Sequence, residues 1–114
     1  MISLTSNLPK IVYVGPYTLD VIVTDPPELN DGDNPDMKLS GRLRLEDNAV
    51  LVSSSQSGVY LADTLLHEIL HAVWAVAGGW SWDVDEERVV YSISTVLLDT
   101  LRRNPRLVEF LVNA

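Results

Sequence analysis

The two histidines of the chain stand four positions apart with a glutamate between them, in the segment His67-Glu68-Ile69-Leu70-His71. Side chains four positions apart lie one above the other on the same face of an α-helix. His67 and His71 can therefore hold one Zn²⁺ between their imidazoles, and Glu68 can reach a water on that metal and act as general base. The HExxH spacing thus predicts a metal-dependent hydrolytic site on a helix.

The residues around this motif predict a long helix. No proline occurs between Thr64 and Ala77, and the segment is rich in helix formers. Ser57 and Asp63 are both suitable N-cap residues, so two start positions remain open, and Gly78-Gly79 predicts the end. Apolar residues with helical period predict the buried stripe: Leu66, Ile69, Leu70, Val73 and Ala77.

A catalytic zinc takes three protein ligands and leaves one position open. The chain has no third histidine and no cysteine, so the third ligand is expected to be a carboxylate. The next predicted helix begins with Glu86-Glu87, close to the end of the motif helix. Glu86 lies nearer the centre of the apolar stripe, whereas Glu87 shares a face with the small residue Ser94, which would let the two helices approach closely. We favour Glu87; the alternative for both is an acidic first turn stabilised by the helix dipole.

The chemistry also needs a donor for the developing oxyanion. No spare histidine exists, so Tyr91, one turn after Glu87, is the first candidate, ahead of Tyr60 and Arg88. The alternative for Tyr91 is an ordinary half-buried aromatic side chain. The three tryptophans around the end of the motif helix predict packing contacts rather than a substrate-binding wall: Trp74, Trp80 and Trp82.

The composition of the 114-residue chain predicts one globular domain over residues 1–114. The absence of cysteine excludes disulfides and thiolate metal sites and fits the cytosol. No segment resembles a secretory signal, and no apolar run reaches the length of a membrane span. The net charge of −8 argues against nucleic acid and anionic membranes as partners, and it favours a basic or neutral polypeptide.

The first half of the chain predicts β-structure. Strands at residues 10–14 and Tyr17–Thr24 form a hairpin around Gly15-Pro16, and strands at residues 39–45 and Ala49–Ser53 form a second hairpin. Residues 25–36 are acidic and contain three prolines and a glycine. The spacing of the acidic residues in this segment does not match a calcium-binding EF-hand loop. The segment is therefore predicted to be a solvated loop.

The second half predicts helices. Residues 86–101 carry a helical repeat of apolar side chains and end with Arg102 and Arg103, which suit the dipole of a helix C-terminus. Asn104 and Pro105 then predict the start of a short closing helix. Strands followed by helices indicate an α+β fold, with a small antiparallel or mixed sheet packed on the HExxH helix, the second helix and the short C-terminal helix.

Three runs carry a family resemblance: residues 64–72 (TLLHEILHA), 86–90 (EERVV) and 101–105 (LRRNP). They resemble small metallopeptidase-like proteins of bacteriophages and prophages and, more broadly, minimal gluzincins, including the IrrE-like kind that cleaves repressors. The resemblance covers roughly residues 40–112. In IrrE-like proteins a small residue follows the ligand glutamate by seven positions, as Ser94 follows Glu87. The Ala-Asn pair usual after the ligand is replaced by Val90-Tyr91, and the Leu-Met-Pro ending is missing.

The resemblance implies a zincin-like fold, a Zn²⁺ cofactor, a polypeptide substrate and a location in the bacterial cytoplasm. In zincin-like folds the edge of the sheet binds substrate as an added strand, and Ala49–Ser53 is the expected strand here. A second hypothesis is a zincin-shaped binding or structural module of a mobile element that holds a metal without turnover. A third is a helical interface without metal.

Overall fold

The computed structural model describes residues 8–25 and 40–114. Four strands precede three helices, as predicted for an α+β fold. Most of the predicted acidic loop, residues 26–36, lies outside the described residues. In chain order the elements are β1 (Ile11–Val14), β2 (Tyr17–Thr24), β3 (Gly41–Arg44), β4 (Ala49–Ser53), α1 (Gly58–Val76), α2 (Glu86–Arg103) and α3 (Pro105–Val112).

The four strands form one mixed sheet in the order β1-β2-β4-β3. Both predicted hairpins are confirmed, because β1 pairs antiparallel with β2 and β3 pairs antiparallel with β4. Their turns use backbone conformations with positive φ, at Gly15 (53°) and Asn48 (52°), which glycine and asparagine tolerate best. The two hairpins join through a parallel pairing of β2 with β4, with Val21 opposite Val50.

This order places β4 inside the sheet, and the expectation that Ala49–Ser53 offers a free edge is wrong. β4 pairs with β2 on one side and with β3 on the other, and all five of its residues are buried. The run Ala-Val-Leu-Val is apolar at successive positions, as in strands covered on both faces. The edge strands of the described sheet are β1 and β3.

Helix α1 packs on one face of the sheet over a core that includes Leu19, Val50 and Val52. The predicted buried stripe of α1 is only partly correct, because Val73 and Ala77 are exposed. Because α1 is apolar around most of its circumference, its periodicity identifies the inner face poorly. The inner face consists of Leu61, Leu65, Glu68, Ile69 and Ala72.

The helix ends follow the sequence signals. Helix α1 starts after Ser57 rather than at Asp63, although the Ser57 side chain makes no capping hydrogen bond. At α2 the Asp85 carboxylate accepts a hydrogen bond from the Arg88 amide. Asn104 precedes α3 as predicted, but its side chain donates to the Thr100 carbonyl of α2 instead of capping α3. Among the described residues, no helix combines the length and apolarity needed to cross a bilayer.

Candidate metal centre

The two histidines of α1 turn the same ring nitrogen toward one point. The Nε2 atoms of His67 and His71 lie 3.3 Å apart. Two imidazole nitrogens bound tetrahedrally to one Zn²⁺ at about 2.05 Å would lie about 3.3 Å from each other. The spacing produced by four residues of helix therefore fits a shared metal without movement of either ring.

Glu87, in the first turn of α2, completes this group. Its carboxylate oxygens lie 2.9 Å from His67 Nε2 and 2.9 Å from His71 Nε2. One ligand atom from each of the three residues lies within 4.8 Å of the others. Two imidazole nitrogens and one carboxylate oxygen form a donor set suited to a divalent transition metal, with room for a further ligand. The group could hold a metal ion.

Glu86 occupies a different position from Glu87. Its carboxylate lies 2.6 Å from His71 Nδ1, on the side of the ring away from the three ligand atoms. The N–H at Nδ1 therefore donates to Glu86, and this tautomer leaves Nε2 free to bind a metal. The sequence favours Glu87 over Glu86 only slightly as the third ligand. In the structure the two glutamates have different positions: Glu87 faces the ligand centre, and Glu86 orients His71.

The contacts of His71 also bear on the fit of a cation. Carboxylate oxygens face both of its ring nitrogens, Glu86 at Nδ1 and Glu87 at Nε2. A neutral imidazole carries one N–H, so it can donate to only one of them. A metal ion bound at Nε2 would make the approach of Glu87 favourable while the N–H at Nδ1 donates to Glu86. The donor arrangement is therefore one that a bound cation would complete.

Glu68 is a buried carboxylate beside this group. Burial raises its pKa above the ordinary value, against the opposing influence of the two histidines and of a hydrogen bond with the Leu43 backbone, while Glu87 raises it further. A carboxylate with a raised pKa is a stronger base toward water than an ordinary glutamate. The environment of Glu68 therefore suits the predicted role of general base.

These side chains line an open cleft of about 740 Å³. Residues 40–43, which include most of β3, form one wall, and α1 and α2 form the other walls. The Thr95 hydroxyl of α2 donates to the Asp63 carboxylate of α1 at 3.0 Å, which ties the two helices together along the cleft. Ser94 is buried and lines the cleft, as expected for a small residue where α2 approaches α1.

Gly41 allows β3 to pass close to α1. A Cβ atom at this position would lie 2.7 Å from Thr64 Cγ2 and 3.2 Å from Glu68 Cγ. Gly41 was not among the predicted site residues, although a glycine inside a strand is a signal of close approach by another element. Asp63 and Arg42 also line the cleft without having been predicted to do so, and the sequence carries no separate signal for this position of either residue.

The three residues predicted as possible oxyanion donors differ in their position relative to the cleft. Tyr91 lines the cleft and is 74% exposed, so the alternative of a half-buried structural aromatic does not apply. Tyr60 and Arg88 are not among the residues that line the cleft. Tyr91 is therefore the member of this set that a substrate in the cleft can contact.

The prediction that the three tryptophans make packing contacts is partly correct. Trp74 and Trp82 form a T-shaped pair with ring centroids 4.9 Å apart, and Trp74 also packs against Gly79. Trp80 is exposed and makes no ring contact within the described part of the chain. None of the three lines the cleft.

Comparison of the chain with protein-family models, with curated proteins and with solved structures gives no match.

Proposed function

We propose that this protein is a zinc-dependent peptidase of the zincin type. His67, His71 and Glu87 would hold the Zn²⁺, and Glu68 would be the general base. The observation that carries the proposal is the convergence of three ligand atoms within 4.8 Å beside a buried glutamate. Each of these side chains lines the same open cleft, so a substrate can reach them.

A zinc ion at this site would supply Lewis acidity, which lowers the pKa of water toward neutrality and polarises a carbonyl. Glu68 takes a proton from the attacking water and passes it to the departing amine. The Tyr91 hydroxyl donates a hydrogen bond to the oxygen on which negative charge develops. Glu86 keeps His71 in the tautomer that leaves Nε2 free.

Among the described residues β3 is an edge strand, and its outer edge is the surface on which we expect a polypeptide to bind. The Ser53 amide donates to the Ser40 carbonyl at 2.8 Å, so antiparallel alternation turns the main-chain groups of Gly41 and Leu43 away from β4. Leu43 also shares a hydrogen bond with Glu68, which places this edge beside the general base. A substrate strand paired with β3 would bring its peptide bond next to the metal site.

The first experiment measures metal content by elemental analysis, on protein purified without chelator and without an affinity-tag metal. We expect about one zinc per chain. His71→Ala should lose the metal, whereas Glu109→Ala, which changes an exposed glutamate of α3, should retain it. Absence of metal from the wild-type protein, even after zinc is offered, would overturn the proposal.

A second experiment separates catalysis from metal binding. Glu68→Gln removes the base but none of the three ligands, so we expect hydrolysis of an unfolded protein substrate to disappear while zinc content is unchanged. A variant that retains both zinc and full hydrolysis would show that Glu68 is not the base. Zinc without hydrolysis in the wild-type protein would favour the second hypothesis, a metal-holding module without turnover.

A further inference from the structure

The cleft extends along α1 beyond the candidate metal centre. Asp63 lies four residues before His67 on this helix, a rise of about 6 Å. Thr95 lies about two turns after Glu87 on α2, and its hydroxyl lies 3.0 and 3.2 Å from the two carboxylate oxygens of Asp63. Both residues line the cleft. The Asp63–Thr95 contact is therefore about one helical turn away from the metal ligands.

Polar groups adjoin this contact. The Thr64 hydroxyl donates to the Gln56 side chain at 2.6 Å, and the Gln56 amide donates to the Ser40 carbonyl at 2.9 Å. We use the name Asp63 subsite for four residues that line this part of the cleft: Ser40, Asp63, Thr64 and Thr95. An apolar side chain placed here would take their oxygen atoms out of water without replacing the lost hydrogen bonds. A side chain with N–H donors would form hydrogen bonds with these oxygen atoms instead.

The Asp63 carboxylate has no cationic partner among the described residues. Its hydrogen bond comes from the neutral hydroxyl of Thr95. The other carboxylates of the cleft belong to the candidate metal centre, where the two histidines adjoin them: Glu68, Glu86 and Glu87. The carboxylate of Asp63 can therefore pair with a cationic group that enters the cleft.

Arg42 also lines the cleft, but alternation along β3 turns its side chain away from α1. A Cβ atom at Gly41 would meet the side chain of Thr64 on α1, and Leu43 packs against the core. Because successive side chains of a strand point to opposite faces, the Arg42 side chain points to the other face of the sheet. Arg42 therefore does not neutralise Asp63.

The separation of Asp63 from the metal ligands matches the repeat of an extended chain. A strand rises about 3.3 Å per residue, so two residues span about 6.6 Å, close to the rise of about 6 Å between Asp63 and His67. Side chains two residues apart point to the same side of a strand. A substrate paired with β3 can therefore place one peptide bond at the metal centre and a long side chain, about two residues away, at Asp63.

We propose that Asp63 selects substrates that carry a lysine or an arginine about two residues from the cleaved peptide bond. This selectivity rests on the proposed peptidase function and defines the substrate class of the same cleft. The ammonium or guanidinium group donates a charge-assisted hydrogen bond to the Asp63 carboxylate. An acidic side chain at the same position would be repelled. The net charge of −8 also favours the approach of basic polypeptides.

The first experiment maps cleavage sites by mass spectrometry after the zinc-loaded protein has digested an unfolded protein of known sequence. We expect lysine and arginine to be enriched about two residues from the cleaved bonds. Asp63→Asn removes the charge but keeps an oxygen that accepts from Thr95. The ratio of kcat/KM for matched lysine and glutamine peptides should therefore fall about tenfold or more in this variant.

Asp20→Asn is the matched control, because it changes the net charge equally at an exposed residue that does not line the cleft. It should leave the ratio unchanged. All three proteins should hold the same amount of zinc, which shows that the metal centre is intact. Cleavage without enrichment of basic residues, or a ratio that Asp63→Asn leaves unchanged, would overturn the proposal.

A second experiment needs no hydrolysis. Nuclear magnetic resonance titration of zinc-loaded Glu68→Gln measures the affinity for short blocked polyalanine peptides that carry a single lysine or a single glutamine. We expect the lysine peptide to bind about tenfold more tightly or better, and this difference to disappear when Asp63→Asn is added. Equal affinity for the two peptides would overturn the selectivity and leave the peptidase function standing. A lysine preference that requires Asp63, in a protein whose wild type hydrolyses no peptide, would support recognition by Asp63 and overturn the peptidase function instead.

Discussion

At the scale of residues, the candidate centre depends on how protons and charges are shared around His71. The side chain lies between two carboxylates, with Glu86 at Nδ1 and Glu87 at Nε2. The first contact sets the tautomer, and the second is favourable only with a cation at Nε2. The neighbouring glutamates therefore have different roles, which substitution can separate.

We expect Glu86→Gln to weaken zinc binding by about 10- to 100-fold, because a neutral amide orients His71 less strongly than a carboxylate does. Glu87→Gln removes a ligand and should weaken binding further. Competition for zinc with a chromophoric chelator measures both affinities. If Glu86→Gln abolished binding and Glu87→Gln did not, Glu86 would be the ligand.

The raised pKa of Glu68 predicts a pH dependence of stability in the metal-free protein. Burial raises the folded-state pKa above the unfolded value, so the native state binds the proton more strongly. The resulting stability is fully present below the unfolded pKa and is lost as the pH rises through the folded pKa. Wild type should therefore lose stability relative to Glu68→Gln as the pH rises above the ordinary pKa of a glutamate. Urea unfolding of both proteins in the presence of a chelator measures their free energies of unfolding at each pH. A difference in free energy that does not change with pH would contradict the raised pKa.

At the scale of elements, the approach of β3 to α1 decides whether the cleft forms. The strand passes so close to the helix that a Cβ atom at position 41 would clash with the side chain of Thr64. The same approach brings the Leu43 backbone to Glu68. The edge strand therefore both shapes the cleft and contacts Glu68, the proposed general base.

We expect Gly41→Ala to destabilise the fold by about 1–3 kcal/mol, because the added methyl group forces Thr64 and Glu68 to shift. Thr64→Ser removes the Cγ2 atom nearest the new methyl group and keeps the hydroxyl that donates to Gln56. The double variant should therefore recover most of the lost stability. Urea unfolding of the four proteins of this cycle measures the coupling, and strictly additive effects would contradict the proposed clash.

At the scale of the whole molecule, the candidate metal centre joins the helices α1 and α2. Both histidines lie on α1 and Glu87 lies on α2, and the Thr95–Asp63 hydrogen bond is a further described link between these helices. A metal held by all three ligands would link α1 to α2. Its binding free energy would then contribute to folding stability.

We expect zinc to raise the melting temperature of the metal-free protein. At a free concentration of about 100 times the dissociation constant, a ligand specific for the folded state adds about 2.7 kcal/mol. His71→Ala should show no such increase. A differential scanning measurement with and without zinc tests this, and an equal increase in both proteins would indicate binding elsewhere.

Local patterns determined the features that depend on neighbours in sequence. Four-residue spacing on a helix sets the distance between His67 and His71, and turn residues at Gly15 and Asn48 set the two hairpins. Helix boundaries followed from glycine, proline and the acidic first turn of α2. Each of these signals acts over a few residues, so the sequence shows it directly.

Only the tertiary structure decided the features that join distant segments. The parallel pairing of β2 with β4 buries Ala49–Ser53 and leaves β3 as the edge beside the cleft. The rotation of α2 about its axis directs Glu87 to the ligand centre and Glu86 to the far side of His71. Strand order and helix rotation depend on packing across the whole core. Residue spacing within one segment does not contain that information.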